Sequence, residues 1–380
     1  MELRALERHI ASLAAMPETR APVISCYLSL RGGLSGYQSD WDEQVAVLRK
    51  AMTGAERQDF EEAIAPIERF RESATQDGAI SVAIFSRAGE QPFFLALQFR
   101  VPLPTRIAVG SAPNIYHLVE IKDNYNRYVV LLATEERAHI LAVNLGSVTQ
   151  EIWKTRGELR RRVGHEWTME HLRCHRQERI HQFTRDLIRT VDHVISVGRY
   201  GHLILAGAAR VTASIRKALP KHLATKLVDV VPAGPHSRTE DVVACTLRSF
   251  LDHEELESVS LVDDLLGRMH TNGLAVAGTP ASFGALKSRQ ADVLVLASDY
   301  QAGHGWDCRE CGAAEIAMER PASCPKCGTS QLRGFDIKEE VVRLAERSAC
   351  QVEVVLRSDA LARLGGVGCL LRFAAAHKVA

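Results

Sequence analysis

Four cysteines pose the first chemical question. Cys308, Cys311, Cys324 and Cys327 form two Cys-x-x-Cys pairs with twelve residues between them, and a glycine follows each second cysteine. Such a pair places two thiolates on one tight turn, and the glycine supplies the positive φ that these knuckles use. Two knuckles complete a tetrahedral sulfur shell, which predicts one Zn²⁺. A closed Cys₄ shell leaves no position for water or substrate, so the metal's expected role is structural rather than Lewis-acidic. A redox dithiol instead comes as a single Cys-x-x-Cys opening a helix after a strand.

A second chemistry lies between Glu151 and Gln182, where eight Lys or Arg and four His stand against five Glu. Arg160, Arg161 and Arg162 are the densest positive spot, with Arg173 and Arg176 further along. Guanidinium forks match phosphate oxygens, and each neutralised phosphate makes binding more salt-sensitive. Beside them Trp167 can stack on an unpaired base, a contact worth about 1–3 kcal/mol per base. These residues and His165 are the candidate RNA contacts. The same stretch also fits a solvated helix face with pairs such as Glu170 with Arg173. His171, Cys174 and His175 suggest a second metal site, but their spacing forces no fourth ligand.

The positioning elements follow from periodicity. APVISCYLSL (21–30), GAISVAIFS (78–86) and QPFFLALQF (91–99) read as strands; Trp41, Val45, Leu48 and Met52 recur at helical spacing between the first two. RYVVLLATEERAHILAVNLGSVTQEIWKT (127–155) reads as a three-stranded meander. A long helical stretch, HLILAG (202–207), a helix over 210–219 and TKLVDVV (225–231) follow. Strands and helices then alternate to the end, interrupted by the cysteine ribbon. GHGW (303–306) reads as a turn before that ribbon.

The predicted fold class is thus α/β with three domains: an N-terminal α/β domain (1–122), a mixed-sheet middle domain with the basic loop and long helix (123–256), and an α-β-α C-terminal domain (257–380) carrying an inserted Cys₄ zinc ribbon (304–334). At 380 residues two or three cores are expected. A 46% hydrophobic, 24% charged composition is that of a globular chain, and a formal net charge of +1 excludes a uniformly basic nucleic-acid coat. The five other cysteines are scattered and suggest no disulfide framework. The opening MELRALERHIASLAAM resembles no signal peptide, and no apolar run approaches a membrane span, so a cytoplasmic location without membrane partners is expected. Neither a P-loop nor a dinucleotide fingerprint is present.

GLAVAGTPASFGALKSRQADVLVLASD, the ribbon after it, and ACQVEVVLRSDALARLGGVGCLLRF resemble the carboxyl-terminal domain of the archaeo-eukaryotic class I release factor and Pelota family. The meander ending in LGSVTQEIWK, the loop, the long basic helix and HLILAG resemble its middle domain. Leu364, Gly365 and Gly366 match a turn before the last strand. CYLSL, a following tryptophan and GAISVAIFS are similar to the amino-terminal domain of the bacterial, Balon-like branch. Release-active members carry Gly-Gly-Gln in the loop before the long helix. Here that stretch reads TRGELRRRVGHEWTMEHLRCHRQERIHQ (155–182), with Gly164, His165, Glu166 and Trp167 nearest, and no Gly-Gly-Gln exists in the chain.

The resemblance implies a monomeric tRNA mimic that binds ribosomal RNA in the aminoacyl-tRNA site. It places the amino-terminal domain towards the decoding centre, the middle loop towards the peptidyl transferase centre, and the third domain against a translational GTPase such as elongation factor Tu. Without Gly-Gly-Gln a non-catalytic role, in ribosome hibernation or at stalled ribosomes, is expected. The competing expectation is a peptidyl-tRNA hydrolase using His165 and Glu166; a third is a zinc-ribbon protein that binds RNA off the ribosome.

Overall fold

The computed structural model describes residues 1–72, 78–89, 91–157, 169–234, 237–271, 273–316 and 321–373. The chain packs as two compact units, residues 3–124 with 255–380, and residues 125–254.

The first unit opens with α1 (Leu3–Ala14), β1 (Val23–Ser29), α2 (Leu34–Ala51), α3 (Gly54–Glu72), β2 (Ser81–Arg87), β3 (Phe93–Phe99), β4 (Arg106–Gly110) and α4 (Tyr116–Asn124). The four strands form an antiparallel sheet in the order β3-β2-β1-β4. Alternation decides its faces: Ile24, Cys26 and Leu28 meet Trp41, Val45, Phe60 and Ile64 of α2 and α3 in one core. The reading of 21–99 matches these elements. β4, which the sequence reading missed, is a five-residue edge strand that follows a proline-containing stretch.

The second unit holds β5 (Tyr128–Ala133), β6 (Arg137–Asn144), β7 (Ser147–Thr155), α5 (Met169–Gly198), β8 (His202–Gly207), α6 (Ala209–Ala218), α7 (Lys221–Ala224) and β9 (Leu227–Pro232). Its sheet order is β7-β6-β5-β8-β9, antiparallel through the meander and parallel beyond it, the mixed sheet the sequence predicts. Val129, Leu131, Ala138 and Ile140 point to α5 through Leu187, Val191 and Ile195. Tyr128, Val130, Leu141 and Ile204 point the other way, to Val242 and Phe250. Those two residues belong to α8 (Thr239–His270), one continuous helix. Gly207, at φ 146°, lets β8 end against the carbonyl of Ala133: an added Cβ would lie 2.3 Å from that oxygen.

The first unit resumes with β10 (Ala275–Ala277), α9 (Thr279–Lys287), β11 (Ala291–Ala297), β12 (His304–Cys308), β13 (Ala314–Ile316), β14 (Leu332–Asp336), α10 (Ile337–Arg347), β15 (Gln351–Val355), α11 (Asp359–Arg363) and β16 (Val367–Leu371). A mixed sheet β10-β16-β11-β15 carries the α-β-α layer, and β13-β12-β14 is the inserted ribbon. GHGW proves to be strand rather than turn, its last three residues opening β12. The N-terminal and C-terminal sheets share this unit: Asp123 Oδ2 accepts from Val354 N–H at 2.6 Å, and Glu339 Oε2 accepts from Tyr116 N–H at 3.0 Å. Among the described residues no helix is long and apolar enough to cross a membrane.

Candidate metal centre and nucleic-acid interface

The ribbon brings the four cysteines together. One ligand atom from each of Cys308, Cys311, Cys324 and Cys327 lies within 4.8 Å of every other. The two knuckles are built alike. Gly312 N–H donates to Cys308 O at 3.0 Å and Gly328 N–H to Cys324 O at 2.8 Å; both glycines sit at positive φ, 69° and 75°. Cys308 N–H donates to Ala313 O, and Cys324 N–H to Thr329 O, each at 2.7 Å. Trp306 and Leu332 pack with Cys308 and Cys324 in a small core beneath.

The sulfur spacing tests what this cluster fits. Cys308 Sγ lies 3.5 Å from Cys327 Sγ and Cys311 Sγ lies 3.6 Å from Cys324 Sγ. A disulfide needs about 2.05 Å, so these are thiols. A tetrahedron with metal–sulfur bonds of about 2.3 Å has edges near 3.8 Å, close to what is seen. Electrostatics agree. Desolvation opposes ionisation of Cys324, but backbone N–H groups of Cys327 and Lys326 and the neighbouring thiols outweigh it and lower it to about 7. At Cys327 the Thr329 N–H draws the thiol down, yet desolvation and the three other sulfurs push it up to about 12. Four crowded sulfurs ionise together only around a cation. The four cysteines can therefore hold a metal ion.

A buried charge network joins this ribbon to the rest of its unit. Arg333 on β14 donates to Asp307 of β12 at 3.1 Å and to Glu340 of α10 at 3.1 Å, and it also meets Glu18. Arg343 pairs with the same Glu340, at 2.9 Å, and with Glu18 at 3.0 Å. Desolvation pulls Arg333 down, but its hydrogen bonds to Asp307 and Glu340 raise it above the ordinary arginine value.

In the second unit the basic residues gather where β6 starts, β7 ends and α5 begins. Arg160, Arg161, Arg162, His165, Glu166 and Trp167, all predicted from sequence, lie outside the described residues, as do Gly164 and the side chain of His171. Arg173 and Arg176 are exposed on α5. Arg176 Nη2 pairs with Glu135 Oε2 at 3.1 Å, while Arg173 makes no ion pair with a described residue. Cys174 is exposed as well.

Three residues here were not singled out from sequence. Arg137, Arg156 and Arg179 join Arg176 around a cavity of about 470 Å³. Register brings Arg137 opposite Thr155, so that Arg156 follows directly at the end of β7; Arg179 Nη1 donates to Gly157 O at 3.0 Å. Arg156 and Arg179 entered only a charge count and Arg137 lay outside it, because the pairing of β6 with β7 is what aligns them. A different surface lies on β7, where Trp153 is 65% exposed and stacks on the buried ring of His139 at 3.6 Å between centroids. Desolvation lowers the pKa of His139, and Glu151, 3.0 Å from its Nε2, works against that.

Residues 113–250, which include most of the second unit, match the model of the bacterial archaeo-eukaryotic release factor family 10. Over those residues the chain is release-factor-like. This release-factor-like chain is 24% identical over 176 residues to a peptide chain release factor subunit 1 of Thermococcus onnurineus (strain NA1), covering 41% of the chain and 42% of that relative's length. Among solved structures, S. cerevisiae Dom34, described as a translation termination-like factor that interacts with Hbs1, is 10% identical, with 77% of this chain and 80% of that one covered at a TM-score of 0.40. A model of ribosome-bound archaeal Pelota and ABCE1 is 14% identical, covering 98% and 94% at a TM-score of 0.41.

Proposed function

We propose that this release-factor-like chain is a cytoplasmic, monomeric translation factor that binds the ribosome in the aminoacyl-tRNA site as a tRNA mimic and does not hydrolyse peptidyl-tRNA. The observation that carries the reading is the match of 113–250 to a release-factor family in a chain whose loop has Gly164, His165, Glu166 and Trp167 where Gly-Gly-Gln would stand. An ester-cleaving loop needs backbone that approaches the substrate closely, and side chains in place of the glycine pair obstruct that approach. What remains is a basic end suited to RNA phosphates, with Arg160, Arg161, Arg162, His165, Trp167, Arg173 and Arg176 as its contacts.

In this reading the chain divides into three working modules, 1–122, 123–256 and 257–380, and Cys308, Cys311, Cys324 and Cys327 hold one structural Zn²⁺. The name of the archaeal relative, a chain release factor subunit, supports the ribosome as partner. The first module would face the decoding centre and the middle loop the peptidyl transferase centre. The third would meet a translational GTPase such as elongation factor Tu, since the chain has no P-loop of its own. Hibernation or action on stalled ribosomes fits a factor that occupies the site without cutting.

Two measurements test this. Co-sedimentation with 70S ribosomes over a salt series should give salt-sensitive association; no association at any salt would defeat the reading. Single-turnover release of peptide from ribosome-bound peptidyl-tRNA should stay at background, and a rate that vanishes on changing His165 or Glu166 would establish a hydrolase instead.

A further inference from the structure

The arginines where β7 ends and α5 passes need an explanation that ordinary packing does not give. Four guanidinium groups, Arg137, Arg156, Arg176 and Arg179, line one cavity of about 470 Å³ with Thr155 and Gly157. Its volume falls within the range of ligand sites. Like charges gathered this way repel one another, and a sequence keeps them only where counter-charge is supplied.

The described residues supply little. Glu136, 72% exposed, stands 3.7 Å from Arg156, and Glu135 pairs with Arg176 from the surface. Among the described residues these solvated carboxylates are the acids paired with Arg156 and Arg176. Moreover, the Arg156 side chain is only 15% exposed, and its Nη1 is buried without a hydrogen-bond partner among the described residues. A buried guanidinium N–H left unpaired is costly.

We infer that this cleft is a preformed site for a phosphate group. Arg156 would supply the buried donor, Arg137 and Arg176 the flanking forks, and the Thr155 hydroxyl a neutral donor. Arginine rather than lysine suits the role, because planar forks take two phosphate oxygens at once. Arg179 Nη1 donates to Gly157 O at the rim. The cavity's lining comes from β6 and Glu136 just before it, the end of β7 and the turn after it, and α5. The inference rests on the ribosome-binding reading for its preferred source, a backbone phosphate of single-stranded RNA; free phosphate offers the same chemistry.

The test uses the full chain, a short fluorescent single-stranded RNA, and inorganic phosphate. With Arg137→Gln and Arg176→Gln combined, RNA affinity should fall roughly tenfold, and the slope of log K against log salt should shrink by about 0.7–1.4, one to two single-strand phosphate contacts. Glu135→Gln should act oppositely, raising affinity by up to about fivefold as a competing surface carboxylate leaves; a purely structural pair would give no gain.

Inorganic phosphate should raise the unfolding midpoint above that in chloride at equal ionic strength, an effect absent in the double variant. If phosphate also displaces the RNA, the backbone is the source; protection without displacement identifies free phosphate. Unchanged affinity and slope in the double variant, with no phosphate protection of the unsubstituted chain, would overturn the inference. Ribosome co-sedimentation keeps the two readings apart: failure to sediment alongside arginine-dependent RNA binding sinks the ribosome reading alone, and salt-sensitive sedimentation indifferent to Arg137 and Arg176 sinks the cleft alone.

Discussion

Arg333 of the ribbon and Glu340 of α10 lie 3.1 Å apart, both nearly buried, and so fasten the metal-binding insertion to the helix that follows it. Removing one member of such a pair strands the other's charge away from water. Arg333→Ala should therefore destabilise the first unit by about 3–5 kcal/mol, read from urea denaturation, while metal content stays the same because no cysteine is touched. Loss of metal without loss of stability would contradict this account.

The four cysteines predict one zinc per chain by elemental analysis. Cys308→Ser or Cys324→Ser should abolish it, and a strong chelator should do the same. Since metal-binding energy is folding energy for so small a core, Trp306 should become exposed on chelation, seen as a shift in tryptophan fluorescence. The second unit should be unaffected.

A pH dependence follows from Glu339. Desolvation raises its carboxyl to about 7, although the N–H groups of Tyr116 and Ile115 and the Arg106 charge favour the ionised form. A carboxyl raised above its unfolded value binds its proton more tightly when folded. Its stabilising contribution is therefore complete below about pH 4.5 and declines as pH rises to about 7. Glu339→Gln keeps an acceptor for Tyr116 N–H but cannot ionise. The variant should match the parent at low pH and exceed it by roughly 1–3 kcal/mol above pH 7, measured as the difference between urea midpoints at the two pH values.

Gly207→Ala should destabilise the second unit by roughly 2–4 kcal/mol, since its Cβ would press on the Ala133 carbonyl, which cannot retreat without breaking the β5–β8 pairing. Hydrogen exchange of β5 and β8 amides would locate the effect. Exchange confined to the α6 turn would count against it.

How much of this was legible depended on how local the signal was. The cysteine knuckles were readable because each spans a few residues whose spacing alone fixes what they can ligate. The meander was readable because strand alternation shows directly in 127–155. The edge strand β4 was not, being short and only partly buried. The Arg333 network could not be seen at all: Glu18 and Arg333 are 315 positions apart, and only the folded unit brings them together. Likewise nothing in the sequence marks Arg137, which only the register sets opposite Thr155 and beside Arg156. Composition counts charges, whereas a binding cleft depends on which strand ends are neighbours.

The ribbon enters and leaves its host at nearly one point. His304 pairs with Asp336, and Ile337 N–H donates to Gly303 O at 3.1 Å, so the chain departs after β11 and returns to α10 almost where it left. To the parallel pairing of β11 with β15 the whole excursion amounts to a short bridge. Such a cassette can be lengthened, shortened or exchanged without rewiring the sheet, provided that an acid on α10 loses its charge together with the arginine it was matched to.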